Sequence, residues 1–595
     1  MQKIFLFIFL IISSFNYAQQ ENPQNEYVLA ENYFRDGEYE KAAQIYKKLY
    51  DNSPFNTTYL KRLVTCYQET DQFLVVEDLL NSKLKSNPDQ SFLHVVLGYN
   101  FERQQQTENA EKQYQLAIKA IETQPNYSGF IGSLFKEYNL LDYALIAYTK
   151  GMEKNDNANY RYQIAQIYGE KGEFEKMFQS YVTMVDENEN YLSTIQRFVS
   201  EFITDDAENE NNVLFRKTVL RKSVSNPKKE WNILLSWLFA QQKEYQKALI
   251  QEKALFQRQE VDLTNIYNLG VIAFNHQDFE ASRLAFDFML SSTNLVSEKL
   301  LANLYLVKIA VETDNPTTEK LFQDIFTTYG KTKQTIAIQV EYADYLTFKK
   351  NNPSAAKEVL ENAMKFSASK FEEARIKLKL GDILVFTAQY NKALIYFSQI
   401  QTQLKNDELG QQARFKVAQT SYFKGDFTWA KAQLKVLKSS TTQLIANDAA
   451  ALYLIITDNE PVDSIPSGLT QFANADLLAF QNKTQEAIEI LSTVITKFKG
   501  QPIEDEALFK QAKLFIKQHQ FENAITNFEK VIALNPEGIL IDDAYYELAE
   551  LYANQLNNIE KATAYYQKII FDYGSSIYLV DARKKYRKLR DDALN

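Results

Sequence analysis

Small and aromatic residues recur along this chain at helical spacing. In nine places a small residue is followed twelve positions later by another: Ala30 by Ala42, Gly98 by Ala110, Gly132 by Ala144, Ser236 by Ala248, Ala343 by Ala355, Gly381 by Ala393, Ala418 by Ala430, Ala475 by Ala487 and Ala512 by Ala524. Four positions after the second small residue stands a ring or a large apolar side chain: Tyr46, Tyr114, Tyr148, Phe397, Leu434, Leu491 and Phe528. Four residues make about one helical turn, so the two share a face. A small residue lets two helix backbones approach, and the ring one turn away fills the wedge between them. The pattern therefore predicts paired helices, several of them closed by a proline, as at Pro54, Pro88 and Pro536. No stretch alternates apolar and polar residues long enough to predict a sheet.

One helix pair cannot bury its own wedge, so the pairs are expected to stack, giving an all-α fold. The run Ala30, Tyr33, Gly37, Tyr39, Ala42, Tyr46, Pro54 resembles the tetratricopeptide repeat, a helix-turn-helix unit of about 34 residues. The resemblance implies repeats stacked into a right-handed superhelical solenoid whose stability is a sum of nearest-neighbour interfaces. About twelve to fourteen units, some degenerate, would fill the 595 residues.

Residues 1–18 read as a secretory signal. Lys3 gives the positive end, Ile4 to Ile12 the apolar run and Ser13 to Ala18 the polar exit, with the mature chain starting at Gln19. The run is too short to span a bilayer, and no later segment is long and apolar enough. The one cysteine, Cys66, falls inside a predicted helix, which disfavours a lipid anchor, rules out an internal disulfide and suggests a small core residue. Repeats are expected over 22–188, an irregular helical segment with an exposed acidic loop, Thr204 to Asn212, over 189–228, a central block over 229–458, a loop over 459–469, and a last block with a capping helix over 470–595. This last block is similar to the repeats of outer-membrane assembly and Tol-Pal-associated periplasmic proteins. Asp463-Ser464-Ile465 looks like an O-glycosylation acceptor, and so short a pattern is read as a chance match.

Charge and chemistry narrow the function. Lys plus Arg number 66 against 76 Asp plus Glu, a net charge of -10, which argues against non-specific nucleic-acid or anionic-membrane binding. His94, His276 and His519 sit in separate repeats without metal-ligand spacing. Gly330-Lys331-Thr332 resembles the end of a phosphate-binding loop, but Ile325 stands where that loop needs glycine. No catalytic motif, metal set or cofactor fingerprint is present in the sequence, so a non-enzymatic protein without cofactors is expected.

The resemblance implies a protein-protein interaction scaffold of the bacterial cell envelope. The protein would be exported, periplasmic and peripheral to the outer membrane through a partner, and its concave groove would take a peptide segment or helix of an envelope protein. Candidate groove residues on first helices are Tyr33, Arg35, Phe101, Arg103, Arg375 and Lys379. Arg375 and Lys379 stand at offsets resembling the third repeat of a carboxylate clamp, whereas the preceding repeat offers Val340, Glu341 and Asp344, whose acids would repel a carboxylate. The alternative is a glycan or cell-wall polysaccharide binder that stacks sugars on tyrosines. A third reading is an enzyme with its site between Tyr191 and Asn226.

Overall fold

The computed structural model describes residues 23–259, 261–438, 443–460, 467–535 and 538–592. The expected signal at 1–18, the Asp463-Ser464-Ile465 sequence and Pro536 lie outside them. The described residues form 32 α-helices and three short 3-10 turns. The fold is all-α. Two compact units, 1–269 and 270–595, divide within the helix Thr264–Asn275, and in each unit consecutive helices pack in pairs that stack as a solenoid.

The pairing follows from the small residues. A Cβ added to Gly132 would stand 2.6 Å from the ring of Tyr148, and one added to Gly270 would stand 2.8 Å from Phe286, so each ring occupies the space a side chain would need. Tyr46, Phe397, Leu434, Leu491 and Phe528 are fully buried at the equivalent places. Burying a side chain of this size contributes about 1.5–3 kcal/mol. Cys66 is a buried core residue, as its position in the sequence suggests, and burial pushes its thiol up to about 12.

Outside the segment 192–225, the turns within pairs pass through one residue in the left-handed region. Gly37, Gly172 and Gly425 occupy it freely, while Asp71, Asn139, Ala388 and His519 hold it with φ between 56° and 59°. The next residue donates its N–H to the carbonyl five positions back, as Gln389 does to Leu384 at 2.7 Å and Gln520 to Phe515 at 2.8 Å. Two turns are longer by one residue: Asn352 donates to Leu346 and Asn558 to Tyr552, each at 2.8 Å. The insertion corrects one expected pairing. Opposite Ala343 it is Ala356, fully buried, that packs in the second helix, and Ala355 is only half-buried.

The acidic segment expected as an exposed loop is tied down at one end. Asn212 is fully buried; its side chain accepts from the Thr204 N–H at 3.1 Å and donates to the Thr204 and Asp206 carbonyls at 2.8 and 2.5 Å. Asn209 caps the helix Glu210–Ser225. The polar side chains of this segment close its own backbone.

In the second unit the helix Gln443–Asp458 follows Phe427–Leu437 as a first helix with no second helix after it among the described residues. The next helix, Leu469–Phe480, packs on Glu408–Phe423: the Tyr422 hydroxyl donates to Asp476 at 2.9 Å, and the Phe423 and Phe480 rings lie 5.9 Å apart. Its following turn reaches two further first helices. Gln481 donates to the Phe386 carbonyl at 3.0 Å and Asn482 to the Phe348 carbonyl at 2.6 Å. Phe348, Phe386, Phe423 and Phe480 are each the last residue of a first helix, and they meet in one aromatic cluster.

Candidate functional site

A groove of about 1330 Å³ runs over five successive first helices of the second unit, Val296–Glu312, Ile336–Phe348, Lys370–Phe386, Glu408–Phe423 and Gln443–Asp458. Its lining is periodic. Counting from the small residue of each repeat, the position three before it supplies Val340, Leu378 and Phe415, and the position six before it supplies Ala337, Arg375 and Gln412. These positions are about one and two helical turns from the packed small residue, which places them along the groove. Leu301 and Phe371 add apolar surface that is 42% and 38% exposed.

Some groove charges are matched from one repeat to the next. An acid one residue after the small residue pairs with a cation two residues before the next one. Lys379 meets Asp344 at 2.5 Å and Lys416 meets Asp382 at 3.0 Å. Elsewhere along the chain Lys510 meets Asp476 at 2.7 Å by the same rule, and Arg62, with Val64 in place of the small residue, meets Glu31 at 2.8 Å. Burial alone would lower the pKa of Lys379, but Asp344, Asp382 and Glu341 outweigh it and the pKa is raised. Burial pushes the Glu341 carboxyl up, Lys308 only partly offsetting it at 3.9 Å.

Other charges of the groove are not matched in this way, among them the exposed Lys333. Arg375 is exposed and has no ion pair or hydrogen bond among the described residues. Asp448, on the last of the five helices, is exposed as well. The groove thus offers a free guanidinium near Phe371 and a carboxylate two helices further on, separated by the apolar surface of Leu378, Leu409 and Phe415.

Of the residues expected in a groove, Arg375 and Lys379 come together here. The clamp-like reading of that pair fails on charge: Lys379 is engaged by Asp344, and one free cation remains. The others lie in the first unit. Tyr33 is half-buried beneath Lys41, 5.3 Å from its ring, and Arg35 is exposed and bonded to Asn32 at 2.6 Å. Phe101 packs on the core, while Arg103 pairs with Glu69 at 2.7 Å on the preceding first helix. Leu304, Phe371, Leu378 and Phe415 were not singled out from the sequence, and Val340 was named there only in weighing a carboxylate clamp. Reading the residue three before the small one down successive repeats would have found Leu378, Phe415 and Val340.

The histidines give no common site: the His94 ring bonds Gln113 at 2.7 Å and His519 sits in a turn. Among the described residues no cluster of His, Cys, Asp or Glu could hold a metal, and no helix is long and apolar enough to cross a membrane.

Comparison with known families agrees with the helix pairs. Tetratricopeptide repeat models match residues 26–55 and 509–576. These stretches are tetratricopeptide repeats. Stacks of tetratricopeptide units present extended surfaces to proteins, and the matched repeats suggest a protein-interaction scaffold. No curated protein matches it. Similar solved structures include Naa15/Naa10 bound to HypK-THB, 10% identical over 96% of this chain and 97% of that one at a TM-score of 0.28. The APC/C hetero-tetramer Cut9-Hcn1 is 12% identical over 97% of this chain and 98% of that one at a TM-score of 0.25. Scores this low say nothing about function.

Proposed function

We propose that this protein is a non-enzymatic scaffold of the bacterial cell envelope that holds an extended or helical segment of an envelope protein in the groove between Leu301 and Asp448. The observation that carries the reading is the groove itself: five consecutive first helices line it with exposed Leu301 and Phe371, half-buried Val340 and Phe415, and the unpaired Arg375. A segment with apolar side chains at helical or extended spacing and an acid opposite Arg375 would match that surface. The exported, periplasmic placement rests on the signal-like residues 1–18, and peripheral association with the outer membrane would come through the partner.

A protein segment is favoured over a glycan by where the rings lie. Tyr46, Tyr114, Tyr148, Tyr422 and Tyr566 are buried between helices and leave no face for a sugar. Phe371 is the one well-exposed ring lining this groove.

The test is photocrosslinking in the native cell with the crosslinker at Leu304 or Phe371, and at Ile395 on the second helix Tyr390–Gln403 as control. Capture of one envelope protein from both groove positions and not from Ile395 supports the reading. Equal capture from all three, or none from the groove, overturns it.

A further inference from the structure

The last helix, Leu579–Asp592, has two unlike faces. Its inner face is satisfied: Ala582 is fully buried, Tyr586 and Leu589 pack on the core, and Lys585 reaches Glu550 at 2.6 Å and Asp581 at 2.9 Å. At about 100° per residue the opposite arc carries Val580, Arg583, Lys584, Arg587, Lys588 and Arg590, with Asp591 as its one acid. Val580 is 76% exposed, and Ile577 just before the helix is 85% exposed. Arg583, Arg587, Lys588 and Arg590 are exposed, with no ion pair or hydrogen bond among the described residues.

Solenoid capping accounts for a polar outer face but not for its sign. Arg583 and Arg587 stand at i, i+4, as do Lys584 and Lys588, and each like pair costs about 0.2–0.5 kcal/mol. The helix dipole favours a cation in the last turn, where Arg590 stands, but not Arg583 in the second turn. Mixed charges would cap the stack at lower cost. The face carries a run of cations in a chain of net charge -10, whereas Lys379, Lys416 and Lys510 elsewhere are each matched to an acid of a neighbouring helix.

We propose that this face is a second docking surface, for an acidic helical segment of a protein partner. Carboxylates on successive turns of that segment would meet Arg583, Arg587 and Arg590, each guanidinium able to make a bidentate pair. An apolar side chain at its end would cover Val580 and Ile577. An anionic bilayer fits less well, because insertion needs apolar residues along the whole helix. Here Tyr586 and Leu589 face inward, leaving exposed apolar surface at the N-terminal end alone.

The test uses the full chain and a fluorescent synthetic helix bearing glutamates on three successive turns and a leucine at one end. A glutamine counterpart and phosphatidylglycerol vesicles form the other arms. The wild type binds the glutamate helix in low salt, and anisotropy reports at least about a tenfold loss with Arg583→Gln/Arg587→Gln or with the glutamine helix, as expected for two charge-assisted contacts. Lys112→Gln/Lys217→Gln, which removes two exposed charges elsewhere, leaves binding unchanged. The proposal is overturned if the wild type does not bind, if the arginine variant binds as the wild type does, or if the protein binds vesicles and not the helix.

Discussion

Lys379 Nζ lies 2.5 Å from Asp344 Oδ1, one repeat back along the groove. The pair is the clearest case of the ladder that joins successive first helices, with side chains 34% and 27% exposed. A double-mutant cycle with Lys379→Met and Asp344→Asn should give a coupling of about 1 kcal/mol, the range of partly exposed pairs. A coupling near zero would mean that the ladder orders the groove surface without stabilising it.

Gly132 faces the Tyr148 ring so closely that an added Cβ would come within 2.6 Å. Gly132→Ala should overpack the pair Ser128–Glu137 and Leu141–Lys154 and cost about 1–3 kcal/mol. Hydrogen exchange should report faster opening in those helices and their neighbours, with the second unit unchanged. Uniform loss of protection over both units would contradict nearest-neighbour stability.

Glu506 carries a pH dependence. Burial, then repulsion from Asp505, Asp476, Asp458 and Asp543, pushes its carboxyl up to about 7 from an ordinary value of 4.5. The folded state holds this proton more tightly than the unfolded chain. Its contribution to stability is complete below the unfolded value and is lost as pH rises through about 7. Glu506→Gln should therefore stabilise the protein at about pH 8, leave it little changed near pH 4, and flatten the slope between, read from urea melts. An unchanged slope in the variant would place the titration elsewhere.

Cys66 is fully buried and its thiol is pushed up to about 12 by that burial. Alkylation by iodoacetamide should be negligible in the native protein and complete in denaturant, because the thiolate is the nucleophile. Rapid native alkylation would show that the first unit opens far more readily than its packing implies.

The paired helices were legible because close packing fixes residue types: a ring such as Tyr148 requires a small partner such as Gly132, and the spacing survives wherever the turn length is constant. It failed at Ala355, where one inserted turn residue moves the packed alanine to Ala356. The groove was less legible because exposed positions are under no packing constraint. Arg375 and Lys379 look alike in the sequence, and which of them is free depends on Asp344, thirty-five residues before Lys379. The return of Leu469–Phe480 onto Glu408–Phe423 had no local signature either, since it rests on contacts such as Tyr422 to Asp476 made across two intervening helices.

Binding of a protein segment in the groove lined by Phe371 is read by calorimetric titration of the segment captured by groove crosslinking against the wild type, Phe371→Glu and Ile395→Glu. Affinity should fall at least about tenfold for Phe371→Glu, from burying an unpaired charge against an apolar surface, and stay at the wild-type value for Ile395→Glu. Equal affinities for all three proteins would contradict it.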